Sequence, residues 1–130
     1  VYILAIYAPP GDRVEIGLAR TEYWRTLGDE VTRRVGVSQA PVLVIGDMNA
    51  YAAGIDVKSD LNNKRPLAEF KNFMRSVGVI DAYREKNGNK KEYTFYRTEN
   101  SKITYASRID TVLVSRQLVP IVKTCVIKQA

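Results

Sequence analysis

Ten residues at positions 41–50, Pro41-Val42-Leu43-Val44-Ile45-Gly46-Asp47-Met48-Asn49-Ala50, constrain the fold more than any other part of the chain. Val42, Leu43, Val44 and Ile45 form an unbroken apolar run, three of the four β-branched, bounded by Pro41 and Gly46. That pattern reads as a short strand buried on both faces, as in α/β sheets. Asp47 and Asn49 follow at the strand's end, where open α/β sheets gather ligand-binding groups. Two residues apart in an extended chain, they would point to the same side. A carboxylate and a carboxamide aimed at one spot can orient a water and accept its proton. Taken alone, Gly-Asp-x-Asn also reads as an Asx turn closing a strand.

The flanking segments fit an α/β unit. Residues 1–8 carry the β-formers Tyr2, Ile3, Leu4, Ile6 and Tyr7 and stop at Pro9-Pro10-Gly11, so a strand is predicted there. Tyr7, at its end, is either core or a donor to a phosphate at the sheet edge. After Asp12, Trp24, Leu27, Val31 and Val35 recur at helical spacing, with Gly36 placed to end the helix and Trp24 placed in the core. Strand, helix, strand gives a mixed or parallel unit. Residues 51–64 show no apolar period and read as a loop. A second helix follows, with Pro66 in its first turn, Leu67, Phe70, Phe73, Met74 and Val77 on one face, and Gly78 at its end.

The rest of the chain reads as short pieces. Residues 79–83 around Asp81 are extended, 85–91 are a turn, 93–96 a strand, 99–102 a turn and 107–115 a strand. Apolar pieces at 118–122, around Pro120, and 124–127 close it. Asp110 falls within the apolar pattern of the last strand and is expected to be buried. An unpaired buried carboxylate is costly, so either Arg108 pairs with it or it orients an imidazole, as an acid does in a catalytic triad.

No imidazole exists in these 130 residues, which removes histidine triads, histidine general bases and histidine-built zinc sites. The length fits at most one domain with a real core. No apolar run approaches the roughly 20 residues of a membrane helix, and the start lacks the basic, cleavable pattern of a signal peptide. The expectation is therefore an intracellular protein, nuclear or cytoplasmic, with no membrane partner and no secretion. The single Cys125 lies in an apolar stretch and reads as a buried thiol. Of the net charge of +6, residues 84–130 hold the whole excess, ten basic against four acidic side chains. A one-sided basic segment is the footprint of a polyanion binder, or else a solvated basic face.

Three pieces in order, Tyr7-Ala8-Pro9-Pro10, Gly46-Asp47-Met48-Asn49 and Arg108-Ile109-Asp110, resemble the endonuclease/exonuclease/phosphatase superfamily. The helix ending at Gly78, followed by Ile80-Asp81, fits as well. Within it, Lys91-Glu92-Tyr93-Thr94-Phe95-Tyr96-Arg97 and Ser107-Arg108-Ile109-Asp110 look most like the endonuclease domains of non-LTR (LINE-type) retrotransposons. The resemblance implies an α/β fold, part of a four-layer α/β/β/α sandwich of two packed sheets with outer helices. It implies metal-assisted hydrolysis of a DNA phosphodiester, with Mg²⁺ in the intact domain. Tyr7 would contact the scissile phosphate, and Asp47 would position or deprotonate the attacking water. Asn49 would hold water and phosphate in line, and Asp110 would orient a catalytic His. Thr94, Arg108 and Ile109 would bind substrate beside the DNA.

The family's metal-binding Asn and Glu lie before the Tyr-x-Pro segment, and its Asp-His pair lies on a last strand beyond residue 130. Residues 1–130 are therefore expected to be a single partial domain, lacking the N-terminal half and the final motif, with no metal ligands of its own and no activity alone. Its parent is expected to carry a reverse transcriptase, with no obligate protein partner. An AP endonuclease or exonuclease III relative is the alternative, as is a catalytically dead remnant that only binds nucleic acid.

Overall fold

A computed structural model describes residues 1–10, 14–59 and 66–128, and for residues 14–17 the backbone alone. It is a mixed α/β structure with two sheets and helices. The first sheet has the order β1 (Tyr2–Tyr7), β2 (Val42–Asp47), β7 (Asp110–Ser115), β4 (Val79–Asp81). β1 and β2 run parallel, joined through helix α1 (Val14–Val35), while β7 is antiparallel to both β2 and β4. The second sheet is antiparallel: β3 (Val57–Ser59), β6 (Lys102–Ser107), β5 (Phe95–Glu99).

Helices α1 and α2 (Ala68–Val77) bury one face of the first sheet, as their periodicity requires. Trp24 is 1% exposed and packs against Phe70 and Phe73 of α2, with ring centroids 4.9 and 5.1 Å away. This cluster meets Val42, Val44, Leu113 and Val79 of the sheet. Strand residues alternate between faces, so Ile3, Ala5 and Tyr7 of β1 lie on the opposite face, with Ile45 and Asp47 of β2. Tyr7 is 73% exposed and is not core.

Several boundaries differ from the sequence reading. Gly46 lies inside β2 rather than at its edge. Pro66 precedes α2, whose cap is Leu67; Gly78 ends the helix in the left-handed region, its amide bonded to the Met74 carbonyl. The loop expected at 51–64 holds a 3-10 turn (Gly54–Asp56) and β3, and its residues 60–64 lie outside the described residues, as do Gly11 and Asp12. The extended reading of 79–83 and the turn at 85–91 give way to helix α3 (Ala82–Asn87) after β4. Asp81 caps α3 by accepting from the Arg84 amide, which ends the strand one residue before Ala82. β5 begins two residues later than position 93, and β6 is an additional strand. The apolar piece around Pro120 lies in a 3-10 turn, Arg116–Ile121, and Cys125 is half-buried rather than buried.

A buried ionic cluster links segments that flank strands of both sheets. Arg108, 2% exposed, donates from Nε to Asp56 at 2.9 Å and from Nη1 to Asp81 at 3.2 Å, and its Nη2 also pairs with Asp81. Arg84 pairs with the same Asp56. The Arg108 guanidinium stands 4.6 Å from the centre of the Tyr83 ring, and the Tyr83 hydroxyl donates to Glu92 at 2.6 Å. Two cations meet two carboxylates, so the cluster is neutral. It fastens the segment before β3, the β4–α3 junction and the β6–β7 connection to one another.

Candidate active site

The sheet register brings three of the sequence-derived residues into one row. Tyr7 is the β-partner of Asp47 across β1 and β2, and Asp47 is the partner of Asp110 across β2 and β7. Directly opposed residues share a face, so the row presents a tyrosine and two carboxylates on the side away from α1 and α2. Neighbouring strands stand about 4.8 Å apart, which spaces the row like consecutive rungs.

Asn49 joins the row by leaving the strand. Its φ is +45°, so the chain turns immediately after Asp47 instead of staying extended. Its amide donates to Asp47 Oδ1 at 2.9 Å, which is an Asx turn, and its carboxamide Nδ2 donates to the Ala8 carbonyl at 2.6 Å. The Asx turn that the sequence also allowed is therefore formed, and the extended geometry expected for Asp47 and Asn49 is not. Arg20 of α1, which the sequence reading passed over, donates from Nη2 to the Asn49 carbonyl at 2.7 Å. Around the turn, Ala8 N–H bonds the Asp47 carbonyl and Met48 N–H bonds the Ile109 carbonyl, both at 2.8 Å. The ends of β1, β2 and β7 are thus stitched together by backbone as well as by register.

Asp110 is exposed at the start of β7, not buried, and Arg108 is not its partner. The reason is local. Residues 108 and 109 leave the strand pattern, and the Arg108 amide bonds the Asp56 carbonyl at 2.9 Å, which turns that side chain inward to the ionic cluster. Arg108 is 2% exposed with its guanidinium held in the ionic cluster, and it also lines the cavity described next. Thr94 Oγ1 accepts from the Ile109 and Asp110 amides, each at 3.1 Å. Asp47, Asp110, Thr94 and Tyr83 line one cavity, whose apolar wall includes Cys125 and Val126. Burial pushes the Cys125 thiol pKa up, so it stays protonated there.

The Asp47 carboxyl is raised from its ordinary value, chiefly by partial burial, against the opposing pull of the Asn49 amide and with a smaller push from the Asp110 charge. A raised carboxylate is a better proton acceptor near neutrality. It is also a small liability for stability. Folding raises this pKa, so its contribution is most favourable below the ordinary carboxylate range and is lost as pH rises through the folded value. Asp47→Asn, which keeps an acceptor for the Asn49 amide, is expected to melt at or above the wild-type temperature at pH 7, with the gap narrowing on acidification. Melting curves across pH 3.5–7 check this, and a variant clearly less stable at pH 7 would contradict it.

Among the described residues no three Asp, Glu or Cys side chains converge on one point, so this donor set does not by itself make a metal centre. Also among the described residues, no helix is long and apolar enough to cross a membrane.

No protein-family model matches the chain, and no curated protein matches it significantly. Solved structures do. An AP endonuclease from Archaeoglobus fulgidus aligns with a TM-score of 0.72 at 20% identity, over 91% of this chain and 50% of that one. A 3'-5' exonuclease (NExo) from Neisseria meningitidis aligns with a TM-score of 0.74 at 18% identity, over 94% and 51%. The catalytic domain of Xenopus laevis APE2 aligns with a TM-score of 0.70 at 19% identity, over 91% and 41%. This chain thus spans about half or less of the length of these structures. At such identities the likeness speaks for architecture: the chain has a two-sheet, mixed α/β fold of the AP endonuclease-like type.

Proposed function

We propose that the row Tyr7–Asp47–Asp110, completed by Asn49, is part of a phosphodiester-hydrolysis site of a DNA-nicking nuclease. The observation that carries this is the register, which lines up two carboxylates and a tyrosine from three strands, with both carboxylates on one cavity. Similarity in fold to nucleases supports the same reading.

Asp47, with its raised pKa, takes the proton of the attacking water as the oxygen bonds to phosphorus. Asn49, fixed by its bond to Ala8, keeps one carboxamide N–H and its oxygen for water or phosphate. Tyr7, at the exposed end of the row, contacts the phosphate. Asp110 raises the basicity of Asp47. The leaving sugar oxygen must gain a proton when its bond to phosphorus breaks, and these 130 residues offer no imidazole to give it. Mg²⁺ is the cofactor proposed for the intact domain, where it supplies neutralisation of phosphate charge.

DNA is favoured over small phosphate esters by the basic residues of 84–128. Arg84 and Arg108 are neutralised inside the fold, but Lys86, Lys91, Arg97, Lys102 and Lys123 remain exposed along this part of the chain. Residues 91–97 and 107–110 favour a retrotransposon endonuclease whose parent also carries a reverse transcriptase. The named structural relatives favour an AP endonuclease or exonuclease instead, and a choice between abasic and intact duplex substrates separates the two.

The 130-residue chain is expected not to nick supercoiled plasmid in Mg²⁺, while binding DNA in a salt-sensitive way. A longer gene product that adds a His and a further carboxylate is expected to nick. Asp47→Ala in that protein should reduce nicking by about 10²-fold to 10⁴-fold with binding largely kept. Nicking by the bare chain, or wild-type cleavage by the Asp47→Ala protein, would overturn the assignment.

A further inference from the structure

Thr94 stands just ahead of β5, in the second sheet, yet its hydroxyl is engaged with the first. Oγ1 accepts from the amides of Ile109 and Asp110 at 3.1 Å each, across 15 and 16 residues of chain. Its own amide donates to the Ser107 carbonyl at 2.9 Å, which fixes Thr94 against the end of β6. A threonine hydroxyl has two lone pairs and one proton. Two amides occupy both lone pairs, so toward the cavity it shares with Asp47 and Asp110 this hydroxyl can only donate. The peptide it grips is held on its other side too, since the Ile109 carbonyl accepts from Met48, the residue after Asp47.

We propose that Thr94 is a positioning residue: its hydroxyl clamps the Ile109–Asp110 amide pair and thereby sets where the Asp110 carboxylate stands relative to Asp47. The role rests on reading the row as a hydrolytic site, but the clamp is a property of the fold and can be measured without catalysis. The family resemblance implies that Thr94 lies beside substrate; the two hydrogen bonds give it a task inside the protein.

Thr94→Val keeps the shape and removes the acceptor, while Thr94→Ser keeps the acceptor and removes the methyl. In the 130-residue chain, hydrogen exchange at the Ile109 and Asp110 amides should accelerate by about tenfold or more in Thr94→Val, and remain near wild type in Thr94→Ser. The Val44 amide, in the core of β2, should not accelerate and serves as the internal control. The Asp47 carboxyl, followed by NMR titration, should shift its midpoint in Thr94→Val and not in Thr94→Ser.

Unchanged protection in Thr94→Val would overturn the clamp. So would equal loss in Thr94→Ser, which would assign the effect to methyl packing, or equal acceleration at Val44, which would assign it to global stability. A gene product that never cuts DNA would overturn the nuclease reading and leave these exchange results standing. A nicking-competent protein whose Thr94→Val form has loosened amides but wild-type cleavage would overturn the positioning role alone.

Discussion

Arg108→Ala is expected to destabilise the fold by about 3–5 kcal/mol, the usual cost of leaving a buried ion pair without one partner. Arg108 is 2% exposed and serves Asp56, itself 2% exposed, together with Asp81. Arg84 still reaches Asp56 in the variant, but Asp81 loses its cationic partner while continuing to cap α3. The face of the Tyr83 ring is uncovered at the same time. Arg108→Lys should recover little, because a single ammonium cannot span two carboxylates as a planar fork does. Urea denaturation of the three proteins measures this. A loss below about 1 kcal/mol for the alanine variant, within the range of an exposed pair, would mean that the cluster does not hold the sheets together.

Gly46→Ala should be nearly as damaging, for a steric reason. Gly46 has a φ of +143°, and a Cβ there would stand 2.0 Å from the Ile6 carbonyl oxygen of β1. That oxygen is backbone, so no rotamer change relieves the clash; β1 must move away from β2. Disfavoured backbone and overpacking each cost about 1–3 kcal/mol, so a combined loss of about 3 kcal/mol or more is expected by denaturant titration. Displacement of β1 would also carry Tyr7 out of line with Asp47, which cross-strand NOEs between residues 6 and 46 would report. Wild-type stability with intact NOEs would contradict the account of why glycine occupies this position.

The long elements were legible in the sequence because their signals are local. The spacing of Trp24, Leu27, Val31 and Val35 gives α1, and the apolar run before Gly46 gives β2. Asp47 and Asn49 stood out for the same reason. Short elements were harder. β3 has three residues, and β6 alternates weakly through polar positions. α3 did leave a trace: Asp81 as cap and Asn87-Gly88 as stop, with Gly88 at φ +58°.

The three Ile-Asp pairs show where sequence reasoning runs out. Asp56, Asp81 and Asp110 each follow an isoleucine, and only Asp110 was expected to be buried. The fold sends Asp56 and Asp81 inward to Arg108 and leaves Asp110 facing outward beside Asp47. That sorting depends on which strand ends meet, which is a tertiary fact with no local signal. The pairing of Arg108 with Asp110, one of the two alternatives that sequence offered, fails for the same reason: its partners lie 52 and 27 residues away, while Asp110 is its near neighbour in sequence.

Titration of a short DNA duplex into the ¹⁵N-labelled 130-residue chain tests the row as a phosphate site most directly. Chemical-shift changes should concentrate at the amides of Asn49, Thr94, Ile109 and Asp110, and should fade as salt is raised. Shifts confined to the exposed basic residues between positions 86 and 102, with the amides of the row unmoved, would contradict it.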